Sequence, residues 1–117
     1  MKTITEKNKV TIAELNEMSQ KMFGNFVKAV VDIEKAIMVV DADLHADEER
    51  VLLDQGSKQE NLWGINFHPE FSGTEDFIEF DSMVNIRPWQ NNRSRDVENS
   101  EIRKKIRLVT DKLVMKN

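Results

Sequence analysis

The sequence predicts an α+β fold in which an antiparallel sheet of about four strands is covered by helices mainly on one face. Three segments show apolar residues at helical spacing, and four show the β-branched or alternating pattern of strands. These segments follow the order α-β-β-α-β-β-α, and two successive hairpins make an antiparallel sheet the simplest arrangement. A chain of 117 residues is expected to form one domain, residues 1–117.

The first helix is predicted to begin at Thr11 and to end at Gly24. Thr11 and Glu14 have the spacing of a capping box, in which two free amides at the helix start are bound by side chains. The apolar positions of this helix recur at helical spacing and are Ile12, Leu15, Met18 and Met22. Residues 1–8 are mostly polar and charged, and they are a candidate for a frayed N-terminal tail.

A hairpin is predicted next, with strands at residues 26–33 and 36–41. Their valine and isoleucine content favours strands, and the charged pair Glu34-Lys35 between them indicates a tight turn. The alternative is a single helix through both runs, because the turn contains no glycine or asparagine. The second helix is predicted at residues 45–56, where three acidic residues in the first turn complement the helix dipole.

The third strand is predicted at residues 61–68, "NLWGINFH", with Trp63, Ile65 and Phe67 on one face. The opposite face then carries Leu62, Gly64, Asn66 and His68. The fourth strand is predicted at residues 77–87, "FIEFDSMVNIR". Its polar face is expected to carry Glu79, Asp81, Asn85 and Arg87. A C-terminal helix begun by Asn99 or Ser100 has its apolar positions at Ile102, Ile106, Val109 and Leu113.

The composition excludes several classes of function. The chain has no cysteine, which removes disulfides, thiolate metal sites and a cysteine nucleophile. There is no glycine-rich phosphate loop and no serine in a nucleophile elbow, so no cofactor is predicted. The first residues carry no secretory signal, and the longest apolar run, "AIMVV", is far shorter than the roughly 20 residues of a membrane span. The expected setting is therefore the cytoplasm, without membrane contact.

The stretch "DADLHADEE", residues 41–49, resembles a calcium loop in the spacing of its acids. The sixth position is Ala46 where the turn glycine is needed, and the twelfth is Leu52 where a bidentate acid is needed. A polar loop followed by a helix start is the simpler interpretation, so no metal site is predicted.

The arginine loop, residues 87–95, raises the main functional hypothesis. Residues 87–107 contain seven basic residues against three acids, although the net charge of the chain is −4. A guanidinium presents a fixed fork of donors that matches phosphate or carboxylate, and a helix start follows the loop. The predicted anion-binding residues are Arg87, Asn92, Arg93, Ser94 and Arg95, with Trp89 as a stacking surface.

The alternative for the arginine loop is internal pairing. Arg87 would then pair with Asp81 or Glu79 on the sheet, and the other two arginines with Asp96 and Glu98. The sequence leaves both interpretations open.

A second hypothesis concerns the polar face of the sheet. His68, Glu79 and Asp81 are the candidate catalytic residues, because a carboxylate beside an imidazole supports general acid–base chemistry. An arginine would stabilise charge in such a hydrolase. The alternative is an ordinary solvated sheet surface, which is also polar at every second residue.

Five segments, "KMFGNFVKAVVDIEK", "LHADEE", "DQGSKQENLWGINFHPE", "FIEFDSMVNIRP" and "NRSR", resemble a family of small bacterial and archaeal proteins known as a domain of unknown function. The resemblance covers residues 3 to about 115. It implies a stand-alone cytoplasmic protein of a prokaryote, and it implies no activity, cofactor or catalytic residue.

Three functions therefore stand as hypotheses. The first is a binding module for an anionic or phosphorylated ligand, either a small molecule or nucleic acid, at the arginine loop. The others are a small hydrolase on the polar sheet face and a protein-interaction domain that forms a homo-oligomer.

Overall fold

The computed structural model describes residues 1–116. Over these residues it contains three α-helices, which are α1 (Ile12–Lys21), α2 (His45–Asp54) and α3 (Ser100–Leu113). The strands are β1 (Lys2–Ile4), β2 (Val10–Thr11), β3 (Val27–Asp32), β4 (Ile37–Val40), β5 (Leu62–Phe67), β6 (Ile78–Glu79) and β7 (Val114–Met115). In this part of the chain, no helix combines the length and the apolar content that crossing a membrane requires.

The main sheet has the strand order β1-β4-β3-β5-β6, and all of its pairings are antiparallel. The predicted α+β class is confirmed, with five strands in this sheet where about four were expected. The additional strand is β1, so the prediction of a frayed tail is wrong for Lys2–Ile4. The reason is Ile4, whose side chain is fully buried in the core beside β4. A separate parallel pair, β2 with β7, joins the segment directly before α1 to the segment directly after α3.

The predicted hairpin forms between β3 and β4, although its turn lacks glycine and asparagine. Asp32 supplies the turn chemistry, because its Oδ1 accepts hydrogen bonds from the amides of Glu34 and Lys35, each at 2.9 Å. Its Oδ2 accepts from the Ser57 hydroxyl at 2.6 Å. Ala36 then takes a left-handed conformation with φ of +54° to enter β4. A side-chain carboxylate thus replaces the usual turn residues.

The two faces of the sheet bury different helices. Trp63, Ile65 and Phe67 lie on the first face, as predicted, in a core that includes residues of α1 and α3. On the second face Val30 and Leu62 pack with Leu52 of α2. Two of the three helices therefore cover one face, in agreement with the expectation that the helices lie mainly on one side, and α2 covers part of the other face.

The predicted strand 77–87 is wrong beyond Glu79. After β6 the chain turns through short 3-10 helices at Met83–Asn85 and Pro88–Gln90. Ser82 begins the first turn, since its hydroxyl accepts from the amide of Val84 at 3.2 Å. The Asn85 side chain binds both the amide and the carbonyl of Gly64, at 2.8 and 2.9 Å. Asn85 thus occupies the edge of β5 with its side chain, and it does not share a polar sheet face with Glu79.

The C-terminal helix agrees with its prediction. Asn99 caps α3, because its Oδ1 accepts from the amides of Glu101 and Ile102 at 2.8 and 3.2 Å. Three of the four predicted apolar positions are buried in the core, namely Ile106, Val109 and Leu113. The fourth, Ile102, is partly buried and packs against the core.

Candidate functional site

Arg87 is an internal anchor. Only 1% of this residue is exposed, and its guanidinium lies 4.1 Å from the centroid of the Trp63 ring. It donates hydrogen bonds to the carbonyl oxygens of Gln59 and Leu62, the latter at 2.7 Å. Burial lowers the pKa of Arg87 below its usual value. Arg87 therefore holds the segment before β5 in place, and it pairs neither with Asp81 nor with Glu79.

Asn92 is also internal and organises the arginine loop. Its Nδ2 donates to the carbonyl oxygens of Asn85, Ser94 and Asp96 at 2.8, 3.1 and 2.7 Å. Its Oδ1 accepts from the amide of Glu98 at 2.8 Å. One buried amide side chain thus satisfies four backbone groups of the loop.

The amides of the arginine loop are bound by a carboxylate of the chain itself, that of Glu98. One carboxylate oxygen of Glu98 accepts from the amides of Arg93 and Ser94, each at 2.9 Å, and from the Ser94 hydroxyl at 2.7 Å. These bonds, led by the one from the Ser94 side chain, lower the pKa of Glu98. The loop amides that a ligand would use are therefore occupied in this structure.

Arg95 pairs with Asp81. Its Nε and Nη2 donate to the two carboxylate oxygens at 2.6 and 3.3 Å, a two-point contact. This contact is the main cause that lowers the pKa of Asp81 and raises that of Arg95. The Arg93 guanidinium makes no hydrogen bond or ion pair with residues 1–116. Trp89 is 72% exposed on the Pro88–Gln90 turn.

The second face of the sheet has an end that α2 does not cover, which we call the polar sheet end and define by Lys28, Asn66, His68, Glu79 and Asp81. Lys28 lies directly across from Asn66, and Asn66 directly across from Glu79. His68 follows two residues after Asn66 and shares its face. The antiparallel register therefore brings Asn66, His68 and Glu79 together on one face of the sheet.

Hydrogen bonds join these groups into one network. The oxygen Oε1 of Glu79 lies 3.0 Å from Nε2 of His68 and also accepts from Nδ2 of Asn66 at 3.0 Å. Nδ2 of Asn66 also donates to the carbonyl oxygen of Asp81 at 3.3 Å. When Nε2 carries the proton, the opposite ring nitrogen of His68 is the free base. The arginine that reaches this network through Asp81 is Arg95, not Arg87.

An open groove of about 380 Å³ lies beside the imidazole–carboxylate pair. Its lining residues include His68, Glu79 and Phe71. The His68 ring is also 5.9 Å from the ring of Phe26, and Phe71 lies 6.4 Å away on centroids. This volume falls within the usual range for small-molecule sites, which pair apolar walls with a few polar groups.

Two buried titratable residues of α2 border the polar sheet end. His45 donates from Nε2 to the carbonyl oxygen of Ile65 at 2.8 Å, and burial lowers its pKa. Glu48 is fully buried; its Oε2 accepts from the amide of Ala42 at 3.1 Å, and Oε1 has no hydrogen-bond partner within residues 1–116. Burial raises the pKa of Glu48 to about 10, so this carboxyl is neutral at pH 7.

The structure adds Lys28 and His45 to the residues expected at this surface. Lys28 is the one charged residue in the apolar run "NFVKAVVD" before Asp32, and this interruption was the available signal. The sequence shows His45 at a helix start and within the stretch 41–49, but its burial depends on how α2 docks on the sheet. Within residues 1–116, no three histidine or acidic side chains are grouped as metal ligands, the stretch 41–49 included.

Comparison with known proteins gives one result. A family model described as a protein of unknown function (DUF5674) matches residues 3–113. Neither the curated proteins nor the solved structures give a significant match.

Proposed function

The chain belongs to the DUF5674 family of proteins of unknown function, and we propose that it is a small hydrolase with its acid–base pair at the polar sheet end. The observation that carries this proposal is the hydrogen bond between His68 and Glu79, 3.0 Å long, on the wall of an open groove. An imidazole oriented by a carboxylate, next to space for a substrate, is the usual arrangement of a general base.

Each residue of the polar sheet end has a part in the proposed mechanism. His68 takes a proton from a water molecule in the groove, and Glu79 holds the ring in one orientation and stabilises the imidazolium that forms. Asn66 fixes Glu79 through the bond to the same oxygen. Lys28 supplies positive charge on the same face, since it forms no ion pair with residues 1–116. It would stabilise negative charge as it develops on the substrate.

The internal contacts of the arginine loop favour the sheet end over the loop as the functional site. An external anion would have to displace Glu98 from the loop amides and Asp81 from Arg95. Both displacements would break hydrogen bonds that the carboxylates already make, and this loss opposes binding. The net charge of −4 also disfavours non-specific binding to nucleic acid. The expected setting of the hydrolase is the cytoplasm of a prokaryote.

Chromogenic model substrates test the proposal. The panel comprises nitrophenyl derivatives of a carboxylic ester, a phosphomonoester and a phosphodiester. We expect His68→Gln to reduce kcat/KM by about 100-fold or more, because general acid–base groups contribute roughly 10²–10⁴. We expect Glu79→Gln to retain more activity, because its amide can still orient the ring.

The matched control is Glu70→Gln, which removes an exposed acid from the turn next to His68. Its kcat/KM should equal that of the wild type. The hydrolase proposal is wrong for these substrate classes if the wild type does not exceed buffer, or if His68→Gln is as active as the wild type.

A further inference from the structure

A second concave surface, which we call the α3 cleft, lies between α3 and the segment 72–78, and neither His68 nor Glu79 lines it. It encloses about 780 Å³. Its apolar lining comes from Ile12, Phe77, Ile78 and Val114. Arg107 and Lys116 add two positive charges to the same lining. The α3 cleft thus combines an apolar surface with basic groups.

Arg107 lies over an aromatic ring and has no acidic partner within residues 1–116. Its guanidinium carbon lies 5.2 Å from the centroid of the Phe80 ring. Arg103 lies over the same ring at 4.9 Å, but two hydrogen bonds of 2.7 Å join it to Asp96. No carboxylate of residues 1–116 lies within ion-pair distance of Arg107. An aromatic surface below a guanidinium restricts its motion while its edge donors stay available.

The other charges of the α3 cleft leave a positive balance. Asp111 lies one helical turn after Arg107 and also lines the cleft. It forms no ion pair with Arg107, and Lys112 beside it binds Glu6 at 3.1 Å instead. Two cations and one acid therefore border this surface. A bound anion would be attracted by the excess positive charge and could accept two parallel hydrogen bonds from the guanidinium.

We propose that the α3 cleft binds an amphiphilic anion, with a carboxylate or phosphate head at Arg107 and Lys116 and an apolar body along the lining. Ile12, Phe77 and Val114 are only partly buried, so a hydrocarbon or aromatic group would complete their burial. The volume suits a molecule of drug or lipid size. This site is separate from His68, and the proposal does not depend on hydrolysis.

Titration calorimetry with four probes tests the ligand class: decanoate, decyl phosphate, decanol and inorganic phosphate. Saturable binding of decanoate or decyl phosphate at one site is expected, and the tighter of the two identifies the head group. Decanol lacks the anionic head and inorganic phosphate lacks the apolar chain, so each should bind at least about tenfold more weakly. For decanol, a factor of about ten is the lower end of what a lost charged hydrogen bond costs.

Variants identify the residue. Arg107→Gln should weaken the amphiphile by about tenfold or more, and Arg107→Lys by less, because it keeps the charge without the fork. Lys105→Gln is the matched control, since it removes an exposed charge from the same helix outside the cleft. Circular dichroism checks that each variant is folded. If Arg107→Gln does not fold, the loss of affinity is measured with Arg107→Lys instead.

Three results would overturn the proposal. The first is the absence of saturable binding by both amphiphiles. The second is equal binding of decanol and decanoate, which would mean that apolar contact alone is responsible. The third is an equal loss in Lys105→Gln and Arg107→Gln, which would mean that only net charge matters. Normal probe binding by His68→Gln is expected whether or not the chain is a hydrolase.

Discussion

Glu48 should impose a measurable pH dependence on folding, and Glu48→Gln should remove it. The carboxyl is fully buried and its pKa is raised from 4.5 to about 10 by burial. Between these two values the folded state holds a proton that the unfolded state has released. The stability that the neutral carboxyl confers is therefore complete below pH 4.5 and is lost as the pH rises toward about 10.

The magnitude follows from linkage. Each pH unit within that window lowers the free energy of unfolding by about 1.4 kcal/mol. From about pH 7.5 to about pH 9, wild-type protein should lose about 2 kcal/mol. This range avoids His45, whose pKa is lowered by burial and whose unfolded form has already lost its proton there.

Urea unfolding at the two pH values measures the effect. We expect the midpoint of the wild type to fall with pH while that of Glu48→Gln changes little, with equal m-values. The control Glu17→Gln changes an exposed acid of α1 and should retain the wild-type slope. Parallel pH profiles for the wild type and Glu48→Gln would refute the inference that Glu48 is neutral in the folded state.

Two further substitutions test the internal contacts. Arg87→Met leaves the carbonyl oxygens of Gln59 and Leu62 without their donor and should lower the free energy of unfolding by about 2 kcal/mol. The same change at exposed Arg93 should stay within about 0.5 kcal/mol, and equal urea midpoints for the two variants would contradict the assignment. Gly64→Ala places a Cβ 2.5 Å from the Ser82 side chain and should lower the free energy of unfolding by about 1–3 kcal/mol, measured by thermal or urea unfolding. A midpoint equal to that of the wild type would show that the turn at Ser82 can move to make room for the methyl group.

The elements that sequence periodicity predicted correctly are those whose local signals agree with their packing. The capping box of α1 forms as predicted, with Thr11 Oγ1 accepting from the amide of Glu14 at 3.0 Å and the Glu14 carboxylate accepting from the amide of Thr11 at 2.9 Å. The alternation in β5 also correctly separates Trp63, which lies in the first core, from Leu62 in the second. Both signals act within one element, so no knowledge of distant residues is needed.

Residues 77–87 show why an alternating pattern can mislead. The pattern reflects burial at every second or third position, and a series of turns can produce the same sequence. Ser82 and Asn85 are polar yet fully buried. The Ser82 hydroxyl accepts from the amide of Val84 in its own turn, and the Asn85 side chain binds the distant backbone of Gly64. Only the distant partner, Gly64, distinguishes this arrangement from a strand.

The arginines show the same limit for function. Arg87, Arg95 and Arg107 carry the same side chain. Within residues 1–116 the first binds carbonyl oxygens, the second binds a carboxylate, and the third packs on an aromatic ring. The sequence shows where arginines are concentrated. The tertiary structure determines which guanidinium groups already donate hydrogen bonds to acceptors of the protein. Inside the loop Arg95 is already paired with Asp81, whereas Arg107, outside the loop, lies over Phe80 in a cleft.

The two proposed sites can be separated experimentally even though β6 lies between them. Ile78 lines both the groove beside His68 and the α3 cleft. A substitution at Ile78 would therefore alter both surfaces and assign an effect to neither. His68 and Arg107 each line one surface only. If His68→Gln abolishes turnover and keeps the affinity for decanoate or decyl phosphate, while Arg107→Gln does the reverse, the two surfaces have independent functions.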